Sequence, residues 1–403
     1  MKMIPLEEIK EISVASASKI VMLVIDGLGG LPDTKTGRTE LETAHTPFLD
    51  QLARKGICGL IDPVSPGITP GSGPGHLALF GYDPCQFTIG RGVLEALGIG
   101  FELTKKDVAA RGNFCTVDEN GLITDRRAGR ITTEKCTELC KLLGQIKLEG
   151  VEIFVWPVKE HRFMMTLRGA GLSAEIGDTD PQRLGVAPNM AIAAEPQAKQ
   201  TAHTVNIFID EASKILARHH PANMVLLRGF SKLPDMPSMN EMCKLTPAAI
   251  AVYPMYKGLA RLIGMKVYGV DGGIQEELQV LTSCFDKHDF FYVHVKQADS
   301  AGEDGDFSRK VKVIEEVDSA LPKLLNLKPD VIVVTGDHST PAILRGHSWH
   351  PVPVLLYSQW CRSDDVKEFS ESAVITGGLG RLHATDIMPL AMANALKLTK
   401  FGA

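Results

Sequence analysis

The stretch Lys19-Ile-Val-Met-Leu-Val-Ile25, followed directly by Asp26-Gly27, decides the fold. It is a short, nearly continuous apolar run rich in β-branched residues, and such a run predicts a strand that is buried on both faces of a parallel sheet. Helix punctuation follows, with Thr46-Pro47 at the predicted start and Gly56 at the end. A strand followed by a helix is the beginning of an α/β pattern.

Two further strands of the same kind occur late in the chain, at Phe290–Val295 and Val331–Thr335. The segment between Gly112 and Asn240 differs, because its apolar runs are shorter and alternate with predicted helices at Thr133–Leu143 and His203–Ala217. We therefore expect one α/β domain, with a mostly parallel central sheet flanked by helices, and a smaller α+β domain inserted into it. The predicted boundaries are 1–111 and 241–403 for the outer domain and 112–240 for the insertion.

Composition excludes several classes of protein. The 403 residues are 44% hydrophobic and 23% charged, with a formal charge of −5, which argues against nucleic-acid or membrane coating as the main task. No apolar run approaches the ~20 residues of a membrane helix, and the first 20 residues do not resemble a signal peptide. Eight cysteines without a C-x-x-C pair fit a reducing compartment, so a cytoplasmic location is expected, with no nucleic-acid or membrane partner.

Each of the three apolar strands is followed by side chains of the types that commonly ligate metal ions. Asp26 follows the first and Asp337-His338 the third, with His347 and His350 shortly after; Asp299 follows the second, with Glu303, Asp304 and Asp306 beyond it. Ligands of open parallel sheets bind beyond the carboxyl ends of the strands, so these groups are expected to converge. Carboxylates with some imidazole suit Mn²⁺, Mg²⁺ or Zn²⁺. The alternative for each carboxylate is a helix cap or a turn.

Ser72 lies in the string Ile68-Thr-Pro-Gly-Ser-Gly-Pro-Gly-His76, between two glycines and just before a predicted helix. A serine at a helix N-terminus meets free backbone N–H groups, and the glycines allow a bulky group to approach the backbone. This arrangement suits a nucleophile in phosphate chemistry that a metal ion activates. The alternative is a surface turn rich in glycine and proline.

A third signal is a local excess of basic side chains within a net acidic chain. Arginine is the side chain that binds carboxylate and phosphate in a bidentate manner. The alternative is a solvated charged face. The basic residues are Arg111, Arg126, Arg127, Arg130, His161 and Arg162.

Taken together, these motifs occur in the order typical of the alkaline phosphatase superfamily. The strings are Val24-Ile-Asp-Gly27, Thr69-Pro-Gly-Ser-Gly73, Asp337-His-Ser-Thr-Pro341 and Pro351-Val-Pro353, with Asp299 and His347 between or beside them. From about Lys19 to about Leu396 the chain resembles the archaeal-type cofactor-independent phosphoglycerate mutases. Gly81-Tyr-Asp-Pro84 and Asp125-Arg-Arg-Ala-Gly-Arg130 resemble that branch in particular.

The resemblance implies an alkaline-phosphatase-like core and a phosphoserine mechanism on phosphoglycerate, without 2,3-bisphosphoglycerate. One divalent ion would be held by Asp26, Ser72, Asp337 and His338, and a second by Asp299, the residue four positions later, and His347. The arginines would bind the glycerate carboxylate, and Lys257 and Arg228 resemble further residues on the substrate side. The inserted domain would exclude water, and a homo-oligomer is possible.

One position departs from the family pattern. The family has His four residues after its Asp, whereas this chain has Glu303 in what is expected to be a glycine-containing loop. A carboxylate oxygen would shift the metal preference toward Mn²⁺ or Mg²⁺ and away from Zn²⁺. The alternative is that Asp304 or Asp306 takes this place.

Other functions remain open at this point. The same metal core serves phosphatases and other phosphotransferases, including enzymes similar to homoserine kinase. A different class is a phosphate-binding module without catalysis, although such a module needs no nucleophile at Ser72. The arginine-rich insertion favours a carboxylate-bearing substrate and therefore the mutase.

Overall fold

The Ile20–Ile25 segment forms a strand with all six residues buried. In the computed structural model, which describes residues 6–402, this strand lies inside an eight-stranded sheet between two parallel neighbours, Phe290–Val295 and Val331–Thr335. All residues of these neighbours are buried as well. The predicted α/β class is therefore confirmed, and both late strands have the predicted bounds. The outermost limits of the predicted outer domain, residues 1–5 and 403, lie outside the described residues.

The strands found in residues 6–402 are numbered in chain order. They are β1 (Ile20–Ile25), β2 (Ile57–Asp62), β3 (Asp107–Val117), β4 (Ile123–Asp125), β5 (Glu152–Lys159), β6 (Arg162–Arg168), β7 (Met224–Ser231), β8 (Pro247–Ala251), β9 (Lys266–Gly269), β10 (Phe290–Val295), β11 (Val331–Thr335), β12 (Val352–Ser358) and β13 (Gly380–His383).

The α-helices of the same residues are numbered likewise. They are α1 (Leu6–Ile12), α2 (Glu40–Thr43), α3 (Pro47–Ala53), α4 (Ser72–Leu79), α5 (Arg91–Gly98), α6 (Thr133–Leu143), α7 (Lys199–Leu216), α8 (Met239–Cys243), α9 (Pro254–Leu262), α10 (Ile274–Cys284), α11 (Gln297–Asp304), α12 (Phe307–Asn326), α13 (Glu371–Val374) and α14 (Ile387–Asn394). The prediction for Thr133–Leu143 is confirmed, and the helix predicted at His203–Ala217 begins earlier, at Lys199.

The larger of two structural units comprises the chain up to Thr88 and again from Met236. Its sheet has the order β13-β2-β12-β11-β1-β10-β8-β9, and β12 alone runs antiparallel to its neighbours. The register pairs Ile25 with Val295 and Val24 with Thr335, so β1, β10 and β11 end at the same edge. The residues that follow these three strands are therefore brought together, as expected for the carboxyl edge of a parallel sheet.

The smaller unit, Ile89–Asp235, is an antiparallel five-stranded sheet with helices, in which β4, β3, β6 and β5 are adjacent and β7 pairs with β3. It begins earlier than residue 112, where the sequence placed the boundary. The reason is that the segment containing α5 packs onto this sheet, with Ala96 and Phe101 buried against Ala109 and Met164.

None of the helices formed by residues 6–402 combines the length and the apolar character that a bilayer crossing requires.

Candidate metal centre

The ends of β1, β10 and β11 bring together side chains that lie far apart in the sequence. Asp26 follows β1, Asp299 lies in the first turn of α11 after β10, and Asp337 and His338 follow β11; all four are fully buried. Among the described residues, there are two groups of side chains that could ligate a metal ion. Within each group the candidate ligand atoms lie within 4.8 Å of one another, and His338 belongs to both groups. The first group adds Asp26 and Asp337, and the second adds Asp299 and His347.

The first group surrounds the Nε2 atom of His338. This nitrogen lies 3.3 Å from Asp26 Oδ1 and 3.2 Å from Asp337 Oδ2. It also lies 3.2 Å from the Oγ atom of Ser72, the first residue of α4. Two carboxylate oxygens, an imidazole nitrogen and a hydroxyl therefore meet around one point. The structure therefore brings close together the four residues to which the family resemblance assigned one ion.

The donor atoms of this group fit a divalent cation. Asp26 Oδ1 is a buried oxygen without a hydrogen-bond partner among the described residues, and Asp337 Oδ2, which is also buried, has the imidazole Nδ1 of His76 at 3.0 Å. Burial of an unpaired carboxylate oxygen is costly, and a bound cation removes that cost. Oxygen donors with one imidazole are the ligand set that Mn²⁺, Mg²⁺ or Zn²⁺ accepts.

Burial and neighbouring charges shift the pKa values of Asp26, Asp337 and His338. Burial alone would raise the pKa of Asp26, but the hydrogen bond and charge of His294 hold this pKa well below its usual value. Burial and the nearby Asp26 carboxylate raise the pKa of Asp337 to about 6. Burial also keeps the pKa of His338 well below its usual value, so this imidazole is neutral, as a metal ligand must be.

The second group centres on Asp299 and His347. The Nε2 atom of His347 lies 3.6 Å from Asp299 Oδ1 and 3.9 Å from Glu303 Oε1. The His347 ring stacks on the His338 ring at a centroid distance of 3.6 Å, and its Nδ1 lies 2.9 Å from the Pro70 carbonyl oxygen. The imidazole is therefore fixed from two sides, with Nε2 directed toward the carboxylates.

Glu303 lies on helix α11 and not in the loop that the sequence predicted. The helix places residues four apart on the same face, so Glu303 lies one turn after Asp299 on the side of His347. The Glu303 side chain is 54% exposed. Its two alternatives are engaged elsewhere, because Asp304 pairs with Arg309 at 2.6 Å and Asp306 caps helix α12.

Three residues that the sequence analysis did not select contact the Asp26 carboxylate. Tyr256 donates a short hydrogen bond to Asp26 Oδ2, and His294 Nε2 lies 3.1 Å from the same oxygen. The Lys296 ammonium contacts Asp299 and lies 3.3 Å from Asp26 Oδ2. A signal for Lys296 was present, since it follows directly after buried strand β10, as Asp26 follows β1.

Two other candidates have no direct place in these groups. Lys257 is half-buried on α9, and its ammonium has no hydrogen bond or ion pair to the residues described by the structure. The adjacent residue Tyr256 makes the contact with Asp26 instead. His350 hydrogen-bonds through Nδ1 to Ser348 Oγ at 3.0 Å.

The basic side chains of the smaller unit lie on and beside its sheet. Arg111 on β3 is the cross-strand partner of Arg228 on β7, and like charges in this position repel unless an anion or acid compensates them. Asp180, which is buried, supplies part of that charge. It accepts two hydrogen bonds from Arg126, at 3.0 and 2.6 Å, and lies 3.8 Å from Arg228.

The remaining basic residues have different surroundings. Arg127 precedes the tight turn at Ala128–Arg130 and Arg130 ends it. The Asp125 carboxylate holds this turn by accepting hydrogen bonds from the N–H groups of Arg127 and Gly129. Arg162 is the cross-strand partner of Asn113. His161 is buried, and burial together with the charge of Arg162 lowers its pKa to about 4, so it is a neutral hydrogen-bonding group.

Comparison with known proteins gives a consistent result. Residues 53–223 match the family model described as 2,3-bisphosphoglycerate-independent phosphoglycerate mutase. Proteins named probable 2,3-bisphosphoglycerate-independent phosphoglycerate mutase from Thermosipho africanus and Thermotoga maritima are 50% identical over 397 residues and 48% identical over 399 residues. These alignments cover 98% of this chain in both cases and 98% and 99% of the relatives.

Two solved structures are also similar to this chain over most of its length. The cofactor-independent phosphoglycerate mutase of Thermoplasma acidophilum superposes with a TM-score of 0.75 at 32% identity, covering 94% of this chain and 100% of that one. A protein from Pyrococcus horikoshii superposes with a TM-score of 0.83 at 30% identity, covering 96% of this chain and 100% of that one.

Proposed function

Because this chain belongs to the family of 2,3-bisphosphoglycerate-independent phosphoglycerate mutases, we propose that it interconverts 3-phosphoglycerate and 2-phosphoglycerate through a phosphoserine at Ser72. The observation that carries the proposal is the position of the Ser72 hydroxyl, 3.2 Å from His338 Nε2, at the first residue of a helix and beside two buried carboxylates. A module that only binds phosphate has no use for a nucleophile in this place.

Ser72 would act as the phosphoryl acceptor. The bond between phosphorus and the 3-oxygen of the substrate breaks as the bond to Ser72 Oγ forms, and the proton lost by the hydroxyl is returned to the departing oxygen. Glycerate then turns; the bond between phosphorus and Ser72 Oγ breaks as the bond to the 2-oxygen forms, and the proton of the 2-hydroxyl returns to Ser72. The free N–H groups at the start of α4 favour the negative charge of the phosphoryl group throughout.

Two divalent ions fit the two ligand groups. Asp26, Ser72, Asp337 and His338 would hold one, and Asp299, Glu303 and His347 the other. When bound, such ions neutralise the charge of the transferring phosphoryl group and favour the alkoxide form of the serine. Mn²⁺ or Mg²⁺ is favoured over Zn²⁺, since Glu303 supplies a hard oxygen ligand.

The basic cluster of the smaller unit would bind the glycerate carboxylate. Its members are Arg111, Arg126, Arg127, Arg130, His161, Arg162 and Arg228. Asp180 fixes the plane of the Arg126 guanidinium through two hydrogen bonds, which preserves the geometry that a bidentate contact with a carboxylate requires. Lys257, whose ammonium is free of partners among the described residues, would contact the phosphoryl group.

The test is a coupled assay of the purified protein with 3-phosphoglycerate and Mn²⁺, in the absence of 2,3-bisphosphoglycerate. We expect 2-phosphoglycerate to form, chelation to abolish the reaction and Mn²⁺ or Mg²⁺ to restore it. Ser72→Ala should eliminate turnover, and Ser65→Ala, which changes an exposed serine in the preceding turn, should not.

Acid-quenched protein should carry phosphate on Ser72. Release of inorganic phosphate without 2-phosphoglycerate would indicate a phosphatase instead, and phosphoryl transfer from ATP to homoserine would indicate a kinase. Substantial mutase activity in Ser72→Ala would refute the phosphoserine route.

A further inference from the structure

Thr340 connects the two ligand groups. Its side chain is fully buried just beyond β11. The Oγ1 atom lies 2.7 Å from Asp299 Oδ1, in the second group, and 2.9 Å from His338 Nδ1, which belongs to the ring shared by both groups. One hydroxyl is therefore within hydrogen-bond distance of a ligand residue from each side of the site.

A hydroxyl has one proton to donate, and this decides the direction of both bonds. The Asp299 carboxylate can only accept, so the proton of Thr340 is used there. The contact with His338 Nδ1 is then a hydrogen bond only if the imidazole donates. A neutral imidazole carries a single N–H, so the Nε2 atom of the same ring must hold the free lone pair.

That lone pair points to the first group. Nε2 lies between 3.2 and 3.3 Å from Asp26 Oδ1, Asp337 Oδ2 and Ser72 Oγ, whereas Nδ1 is 4.0 Å from Asp299 Oδ1. We propose that Thr340 is a positioning residue that holds His338 in the Nδ1-protonated tautomer and thereby commits this ligand to the Asp26–Asp337 group. The inference rests on the proposed two-metal site, and it leaves the second group with Asp299, His347 and Glu303.

The packing around Thr340 keeps its hydroxyl in this orientation. A Cβ atom at Gly27 would lie 2.6 Å from Thr340 Oγ1, and one at Gly302 would lie 2.9 Å from its Cγ2 and 2.2 Å from its carbonyl oxygen. That carbonyl also accepts a hydrogen bond of 2.9 Å from the buried ammonium of Lys310, which donates a second one to the Gly29 carbonyl oxygen. The threonine is therefore enclosed on several sides and anchored through its backbone.

The first experiment measures Mn²⁺ binding by titration calorimetry of chelator-treated, dialysed protein. Thr340→Val removes the hydroxyl and should weaken binding at one of the two sites by about 10- to 100-fold, the usual effect of losing a partner behind a ligand. Thr340→Ser keeps the hydroxyl and should bind like the wild type. Thr335→Val is the matched control, because its buried hydroxyl donates to the Pro353 carbonyl and not to a ligand.

The second experiment reads the tautomer directly, by ¹⁵N NMR of the histidines in protein saturated with diamagnetic Mg²⁺, with His338 assigned by comparison with His338→Gln. The wild type and Thr340→Ser should carry the proton on Nδ1, and Thr340→Val should lose this preference. A proton on Nε2 in the wild type would overturn the proposal, as would unchanged Mn²⁺ binding in Thr340→Val.

If Thr340→Val does not fold, the tautomer of His338 in the wild-type protein tests the proposal by itself. Neither measurement uses a substrate. A chain that meets both expectations but lacks mutase activity would therefore refute the proposed function and leave the role of Thr340 intact.

Discussion

Glu303 is the acidic side chain best placed to complete the second ligand group. Its Oε1 lies 3.9 Å from His347 Nε2, and burial together with the charge of Asp299 raises its pKa, which indicates an unbalanced negative charge. Asp304, the next residue, already has Arg309 as its partner at 2.6 Å. The two acids are therefore neighbours in sequence with different surroundings.

We expect Glu303→Gln to weaken binding of the second Mn²⁺ ion by about tenfold or more and to lower turnover in parallel. Asp304→Asn is the matched control and should leave Mn²⁺ affinity within a few-fold of the wild type. Titration calorimetry resolves the two binding events. The reverse pattern, with a silent Glu303→Gln and a damaging Asp304→Asn, would move the ligand to the neighbouring residue.

Lys296 supplies a positive charge beside the Asp26 and Asp299 carboxylates. Burial would lower its pKa, but Asp26 and Asp299 raise it, so the ammonium is charged and balances two buried acids. Lys296→Met should lower the melting temperature of chelator-treated protein, because it leaves these acids uncompensated. The same change should tighten Mn²⁺ binding roughly tenfold, since the bound ion no longer meets a fixed positive charge. Weaker Mn²⁺ binding in this variant would show that Lys296 supports the ions instead.

Helix α4, which begins at Ser72, approaches the end of β11 very closely. A Cβ atom at Gly75 would lie 2.2 Å from the Asp337 carbonyl oxygen and 3.3 Å from its Cβ atom. Only glycine allows this approach. At Gly73, in the same helix, an added Cβ would meet nothing within 4 Å.

We therefore expect Gly75→Ala to displace the first turn of α4. Overpacking of this kind lowers the free energy of unfolding by about 1–3 kcal/mol, and a displaced nucleophile costs about 100-fold in turnover. Gly73→Ala should not destabilise the protein, because alanine is the better helix residue by about 0.5–1 kcal/mol. Denaturant unfolding compares the two variants, and equal stabilities would contradict this account of the contact.

The elements differ in how well the sequence predicts them. The bounds of β10 and β11 follow from the sequence alone, because strands buried on both faces are continuous apolar runs. Helix α11 does not, since Gln297–Asp304 has small and polar residues with weak helix propensity. It is helical because Ala298, Ala301 and Gly302 pack in the interior.

The residues of the candidate site also differ in how well the sequence predicts them. Asp26, Asp337 and His338 are found by placing polar residues at the carboxyl ends of buried strands. Lys296 has the same signature but was not selected, and Thr340 has none, because its importance lies in a contact with a segment distant in sequence. The part of the smaller unit that precedes Gly112 was not predicted either, because the packing of Ala96 and Phe101 with Ala109 and Met164 joins segments distant in sequence.

The stability of the whole molecule should depend on pH through Glu277. This residue on α10 is fully buried, and neither of its carboxyl oxygens has a hydrogen-bond partner in residues 6–402. Burial raises its pKa from 4.5 to about 8. The folded protein therefore keeps the proton over a range in which the unfolded chain releases it.

Because the folded pKa is the higher one, this contribution to stability is fully present below about pH 4.5 and is lost as the pH rises toward about 8. The loss is at most about 1.4 kcal/mol for each pH unit in that range. Glu277→Gln cannot ionise and should remove this part of the pH dependence, whatever its effect on absolute stability. Calorimetric melting from pH 5 to 8 measures it, with the exposed Glu316→Gln as control. Parallel pH profiles for Glu277→Gln and the wild type would exclude this role.

The strand order has a consequence for how the protein is made. β1 lies between β10 and β11 and pairs with no strand of the first half of the chain. At a synthesis rate of about 5–20 residues per second, β1 waits roughly 15–60 s on the ribosome before both neighbours have been translated. The smaller unit is continuous in sequence, so all its strands are available before β10 is translated. Asp26 therefore meets Asp337 and His338 only after most of the polypeptide has been translated, and the first metal ion can be captured only late in biosynthesis.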